Sequence, residues 1–371
     1  MKYSMGEMRM RIAVMLYQNM KHAPFLRVYE DLLREINAEY DIVYLDRHPE
    51  LEEKKDEHHI PIKWNNNNGF FRYFVKILNA GGYMVRAAKI LSKNEYDFVV
   101  LLTTMPAVLL YPFIRKRYAQ RYLVDIRDYT RENWKWYYAI EKRIIRESSI
   151  NIISSPGFLN FLPRGEYRVC HNLNVTEDEI ERCTFKLEKK LSGRIVVSYV
   201  GHIQYPKYCM KFAELIAKDE RFELRFFGGE GGTRMVTQFV EGLKCDRIKM
   251  YGPFMPEDKE RIFTGSDLIF NCYGNDRPLS KYLLSNKQYD AAYYRCPLLV
   301  SPDTTMADAA GENAFAIDLL SAESLDELYN WYCALDKAEF EKYAEGVLRS
   351  AMRENEETKK MIQSTILSAT R

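Results

Sequence analysis

The sequence predicts an α/β protein built as two doubly wound domains. Three observations predict it. Apolar runs of strand length alternate with helix-length amphipathic segments, a rhythm that opens at residue 11 and restarts at residue 194 beyond a charged stretch. The 371 residues are enough for two ordinary domains, each able to bury its own core. Hydrophobic and charged fractions of 47% and 29% fit a water-soluble globular chain rather than a disordered or membrane-spanning one.

In the first half, residues 11–17 (RIAVMLY) read as a buried strand, residues 25–37 as an amphipathic helix and residues 41–45 as the next strand, a βαβ unit. His48, His58 and His59 fall in or beside a charged loop that ends in the asparagine run 65–68. No cysteine or third ligand shares their spacing, so a zinc site is not expected. Residues 69–91 and 106–122 are aromatic and amphipathic, with arginine and lysine but no acid. Each alone reads better as a sheet-covering helix with snorkelling cations. Two in one domain predict peripheral contact with an anionic membrane.

Strands at 97–103 and 122–126 follow. The second delivers Asp125, Arg127 and Asp128 to its carboxyl end, where open α/β sheets put ligand-facing residues. Asp128 is the first choice for a general base, Asp125 the second, and Arg127 a clamp for phosphate or carboxylate. A structural Asp–Arg pair that fixes the loop is the competing reading. Residues 150–155 and 167–172 read as the last strands of this half. The charged segment 174–192 reads as a linker, giving domains at 1–173 and 193–354.

The second half restarts with a strand at 194–200 that ends in Gly201, followed by His202 and, five residues on, Lys207 before a helix at 210–217. Glycine lets a backbone approach a diphosphate, and a lysine nearby neutralises it. The strand at 222–227 runs into a glycine-rich turn, 228–232, which lacks the dinucleotide-binding spacing. A strand at 248–251 leads to Gly252, and a short helix spans 257–263. Residues 267–271 form a strand with a polar exit loop at 272–280. Ser285 or Asn286 then caps a helix at 287–295, stopped by Pro297 and followed by a strand at 298–301. A polar loop beside a helix start is an anion site, and Lys287 adds a charge there. Asn286 as a mere cap and Asp290 as a solvated acid remain the plain alternative. Residues 323–371 read as two or three helices.

The seven cysteines (Cys170, Cys183, Cys209, Cys245, Cys272, Cys296, Cys333) are scattered and odd in number, without C-x-x-C spacing, which predicts free thiols in a reducing compartment. Neither a secretory segment nor an apolar run of about eighteen residues is present, so the expected location is cytoplasmic. The formal net charge of +2 gives no case for nucleic-acid binding.

Four strings carry a resemblance. They are D-I-R-D at 125–128, S-S-P-G-F at 154–158, G-x(5)-K at 201–207 and S-N-K-x-Y-D at 285–290. In this order, at the ends of predicted strands, they resemble nucleotide-sugar glycosyltransferases of the GT-B fold, especially family-4-like enzymes of bacterial surface-polysaccharide assembly. The resemblance implies two Rossmann-like domains facing a central cleft, with residues 355–371 returning to the first domain. It implies a UDP-sugar donor, a glycan or polyprenyl-diphosphate-linked acceptor, and no metal or cofactor. Donor contacts would come from Gly201, His202, Lys207, Tyr251, Gly252, Asn286, Lys287 and Asp290. The chain departs from the pattern twice: His202 stands where arginine is usual, and the E-x7-E motif is replaced by Tyr282 and Asp290. A nucleotide-sugar 2-epimerase of the same fold and a non-catalytic partner subunit of a transferase are the alternatives.

Overall fold

A computed structural model describes residues 10–50, 56–64, 72–173, 175–189, 193–229, 231–321 and 323–369. The asparagine run 65–68, the start of the 69–91 stretch, Glu230 in the glycine-rich turn and both ends of the 174–192 segment lie outside the described residues. The chain divides into two units. Unit 1 is Met1–Ser154, Phe158–Cys170 and Glu354–Arg371, and unit 2 is Ser155–Gly157 and His171–Arg353.

Unit 1 holds β1 (Arg11–Leu16), α1 (Leu26–Glu35), β2 (Glu39–Asp46), β3 (His59–Lys63), α2 (Arg72–Lys93), β4 (Phe98–Leu102), α3 (Thr104–Arg117), β5 (Tyr122–Ile126), α4 (Lys135–Glu147), β6 (Ile150–Ile153) and β7 (Arg168–Val169). The strands form one parallel sheet in the order β3-β2-β1-β4-β5-β6-β7. β4 and β5 are buried along their whole length, as strands covered on both faces must be, which is why β4 reads as an unbroken apolar run and β5 as one interrupted only by Asp125. Two elements depart from expectation. The segment expected to be a histidine-bearing loop contains β3, an edge strand whose Pro61 is tolerated there. The basic stretch 106–122 is not one helix, because α3 ends at Arg117 and Tyr122 already belongs to β5.

Unit 2 holds α5 (Glu177–Glu181), β8 (Ile195–Val200), α6 (Pro206–Ala217), β9 (Phe222–Phe227), α7 (Thr233–Leu243), β10 (Ile248–Gly252), α8 (Lys259–Thr264), β11 (Leu268–Asn271), α9 (Pro278–Tyr282), α10 (Asn286–Tyr293), β12 (Leu298–Val300), α11 (Thr305–Ala310), β13 (Ala314–Ala316), α12 (Ser324–Ala334) and α13 (Lys337–Ala369). Its parallel sheet runs β10-β9-β8-β11-β12-β13. Alternate strand residues feed two cores. Val197, Tyr199, Phe226 and Phe270 pack with Phe212 of α6 on one face, while Val200, Phe227 and Ile269 pack with Phe263 and Met306 on the other. The end of α13 falls in unit 1, where Ile362 and Ile366 join the core of the first sheet and Thr358 donates to the Val169 carbonyl at 2.7 Å. No described helix is long and apolar enough to cross a membrane.

Candidate functional site

Each sheet reverses its winding once, between β1 and β4 in unit 1 and between β8 and β11 in unit 2. Open α/β sheets bind ligands outside the carboxyl ends of their strands at such points. At the second one, Lys287 in the first turn of α10 is buried. Its Nζ donates to the Tyr273 hydroxyl and lies 4.7 and 4.8 Å from the ring centroids of Tyr199 and Tyr273. Its charge also pulls against the burial that pushes the Cys209 thiol up to about 12. Among the described residues no carboxylate pairs with it. A buried ammonium held by aromatic faces and one phenol keeps donors in reserve and favours an anion.

The backbone beside it carries no side chains. A Cβ on Gly201 would sit 3.8 Å from Lys287 Cε, so the glycine lies along the lysine stem. Gly228, at φ +150°, approaches so closely that a Cβ there would be 1.9 Å from the Gly201 carbonyl oxygen; only glycine fits. The Gly201 N–H donates to the Phe227 carbonyl at 2.8 Å and the Gly228 N–H to the Gly252 carbonyl at 2.7 Å, linking the ends of β8, β9 and β10 into a shelf. Ser285 is the N-cap of α10 by position, but its hydroxyl donates to Asn271 Oδ1 at 2.9 Å instead of capping. The first-turn amides, with Asn286 exposed at the first helical position, therefore keep their partial positive charge unopposed by a cap.

The other residues named from the sequence are arranged differently. Lys207 is exposed, with its Nζ 3.8 Å from Asp276 Oδ2, so its charge is partly neutralised on the surface. His202 is exposed; its carbonyl accepts from the Tyr199 hydroxyl at 2.6 Å, and its ring backs onto Gly231. Tyr251 is 51% exposed and stacks on Phe227 at 4.6 Å and 11°, which presents a flat aromatic face. Asp290 corrects the reading of a solvated acid, since its Oδ2 accepts from Lys259 of α8 at 2.8 Å. Tyr199, Tyr273 and Lys259 had no sequence signal: a tyrosine in or beside a buried strand reads as core. A separate cavity of about 800 Å³ against β13, α12 and α13 contains none of these residues.

In unit 1 the D-I-R-D string splits. Asp125 is 0% exposed and Arg127 6%, and they form a buried ion pair at 2.6 Å. Asp125 also accepts from the Tyr29 hydroxyl at 2.7 Å, and Arg127 donates to the Cys170 carbonyl at 2.9 Å with its guanidinium 5.0 Å from the Phe25 ring centroid. Neither reaches solvent, which corrects their assignment as second base and anion clamp; they tie β5 to its neighbours. Asp128 is exposed and has no hydrogen-bond partner among the described residues. Crowding by surrounding protein holds its carboxyl up, to about 6, against the pull of Arg127, and its solvent-facing side screens part of that effect.

Three features near it were missed in the sequence. Thr103, at the end of β4, has φ +75°, an outlier for a β-branched residue and a mark of local strain. Glu132 is buried with Oε2 accepting from the Thr130 N–H at 2.6 Å and Oε1 without a protein partner. Glu141 of α4 is 1% exposed with neither oxygen partnered, and burial, then the charge of Glu132, pushes its carboxyl up to about 8. It is protonated at neutral pH. Among the described residues no group of three or more histidines, cysteines and acids could hold a metal ion.

No protein-family model matches the chain, and no curated protein matches its sequence. Solved structures do match. Sucrose-phosphate synthase from Thermosynechococcus elongatus is 12% identical, with 97% of this chain and 100% of that chain covered and a TM-score of 0.71. Anabaena HepE, solved in complex with UDP-glucose, is 14% identical over 96% and 100% of the two chains, at 0.64. A putative UDP-N-acetylglucosamine 2-epimerase from Listeria monocytogenes is 13% identical over 91% and 90%, at 0.55. At such identities the likeness shows the fold, and that fold is GT-B, two Rossmann-like domains in one chain.

Proposed function

We propose that this protein is a glycosyltransferase that moves a sugar from a UDP-sugar to a glycan or polyprenyl-diphosphate-linked saccharide in surface-polysaccharide synthesis. The observation that carries the reading is Lys287: a buried cation with no acid partner, beside a side-chain-free shelf and an uncapped helix start, at the switch point of a parallel sheet. As the glycosidic bond to the donor breaks, the sugar becomes oxocarbenium-like and the leaving diphosphate gains charge. Donors fixed in advance around that charge lower the barrier because they need not reorganise. Lys287 and the amides of Asn286 and Lys287 fill this role, so no metal is assigned to the reaction. The UDP-glucose in HepE supports a uridine nucleotide, and the stacked face of Tyr251 suits a base.

Unit 1 supplies the acceptor side. In an inverting course Asp128 takes the acceptor proton, for which a carboxyl near neutral pKa is well matched; in a retaining course it orients the hydroxyl. We further assign the inner face of the cell membrane as the working location. On α2, Phe74, Ile77, Leu78 and Val85 are 58 to 69% exposed, and the helix carries Arg86, Lys89 and Lys93 but no acid. Such a face suits anionic lipid.

The test is thermal stabilisation of the purified protein by UDP-, GDP-, dTDP- and CMP-sugars without added metal. A selective shift with UDP-sugars is expected. No shift with any of them would move the reading to a non-catalytic partner subunit, and release of an epimerised UDP-sugar without acceptor would support the epimerase.

A further inference from the structure

The loop between β5 and α4 carries Asp128 and ends at Trp134, and Trp136 follows in the first turn of α4; the mechanism above uses neither tryptophan. Trp134 and Trp136 are 42% and 54% exposed, with ring centroids 5.7 Å apart and planes inclined by 48°. Indoles that large are rarely left in water without a partner to cover them. The Arg131 guanidinium lies 4.5 Å from the Trp134 centroid, and its charge reaches Tyr17 in the loop after β1. Trp136 meets the edge of Tyr137 at 5.7 Å.

The loop that presents them is held from beneath. The Tyr137 hydroxyl donates to Thr104 Oγ1 at 2.8 Å, Thr104 and Thr130 hydroxyls pair at 2.9 Å, and the Thr130 N–H donates to Glu132 at 2.6 Å. Hydrogen bonds below and half-exposed indoles above, with Arg131 over the ring of Trp134, describe a binding element organised in advance, which loses little freedom when it binds.

Resting on the glycosyltransferase reading, we propose that Trp134 and Trp136 form a stacking subsite for a pyranose ring of the acceptor glycan, with Asp128 accepting a hydrogen bond from a hydroxyl of that glycan. A pyranose is two-sided chemically. Its C–H face carries slight positive charge that suits the negative face of an indole, while its hydroxyls need acceptors. The loop offers both, and the acid separates it from α2, whose exposed face is aliphatic with basic flanks and no carboxylate.

The experiment titrates the full chain with maltotriose, cellotriose and chitotriose and follows the heat of binding by calorimetry, in parallel with phosphatidylglycerol vesicles. The expected result is a saturable change with at least one trisaccharide, weakened on the order of tenfold or more in Trp134→Leu/Trp136→Leu and retained in Trp134→Tyr/Trp136→Tyr, which keeps the stacking faces. A change with none of the sugars, one that survives the leucine substitutions, or one seen only with vesicles overturns the subsite. A melting temperature and far-ultraviolet circular dichroism unchanged in the leucine variant show unit 1 folded, and stabilisation by UDP-glucose is measured alongside. Its absence from the unaltered protein sinks the donor reading while leaving the trisaccharide result to decide the subsite.

Discussion

Two buried ionisable residues behave in opposite ways, and burial alone does not decide which. Lys287 faces two aromatic rings and gives one N–H to a phenol, which leaves donors for an anion. Glu141 has no partner for either oxygen and keeps its proton. That has a consequence for stability. Its carboxyl stands near 4.5 when unfolded and about 8 when folded, so between those pH values the native state holds a proton that the unfolded state has released. Stability should therefore fall as pH rises from about 4.5 to 8. Glu141→Gln, which keeps the shape and does not titrate, should flatten that fall; melting curves across the window check it, and an unchanged slope contradicts it. Sequence reasoning could find Lys287 because its neighbours form a motif. It could not tell that Asp125 and Arg127 point inward while Asp128 points out, since three polar residues at a strand end look alike until their surroundings are known.

At the scale of elements, legibility followed burial. β5 and β9 occupy the same residues as their predicted strands; β5 is apolar but for Asp125, and β9 sets buried apolar residues in alternation with Glu223 and Arg225. β3 and β13 went unread: one is a polar edge strand, the other three residues long. α4 was hidden by Glu141, which sits on the buried stripe with Tyr137, Ile144 and Ile145 and breaks its apolar pattern. The glutamate that obscured the helix is thus the one left without partners inside it. α2 was legible as basic and aromatic, and its exposed side chains sharpen the expectation. Ile77→Asp with Leu78→Asp should cost binding to phosphatidylglycerol vesicles by several-fold without lowering the melting temperature, because both side chains are already in water. Equal co-sedimentation of variant and parent would remove α2 as the lipid-facing surface.

For the whole molecule, two α/β domains emerged from the restart of the βαβ rhythm, while GT-B and the return of the last helix to the first unit were readable only through resemblance. Periodicity along α13 cannot say which core its apolar residues join; Phe340 and Leu348 pack in unit 2, whereas Ile362 and Ile366 pack in unit 1. The same division of labour runs through the proposed function, with the donor cradle in one unit and the acceptor loop in the other. The claim on which the rest depends is that the buried lysine, and not the exposed one nearer the glycine loop in sequence, receives the diphosphate. The most direct measurement is the calorimetric affinity of UDP, without metal, for the unaltered protein, Lys287→Met and Lys207→Ala. The account predicts a loss on the order of 10²-fold in Lys287→Met and a change of only a few-fold in Lys207→Ala, whose partner is the solvent-exposed Asp276. Undiminished binding in Lys287→Met would contradict it.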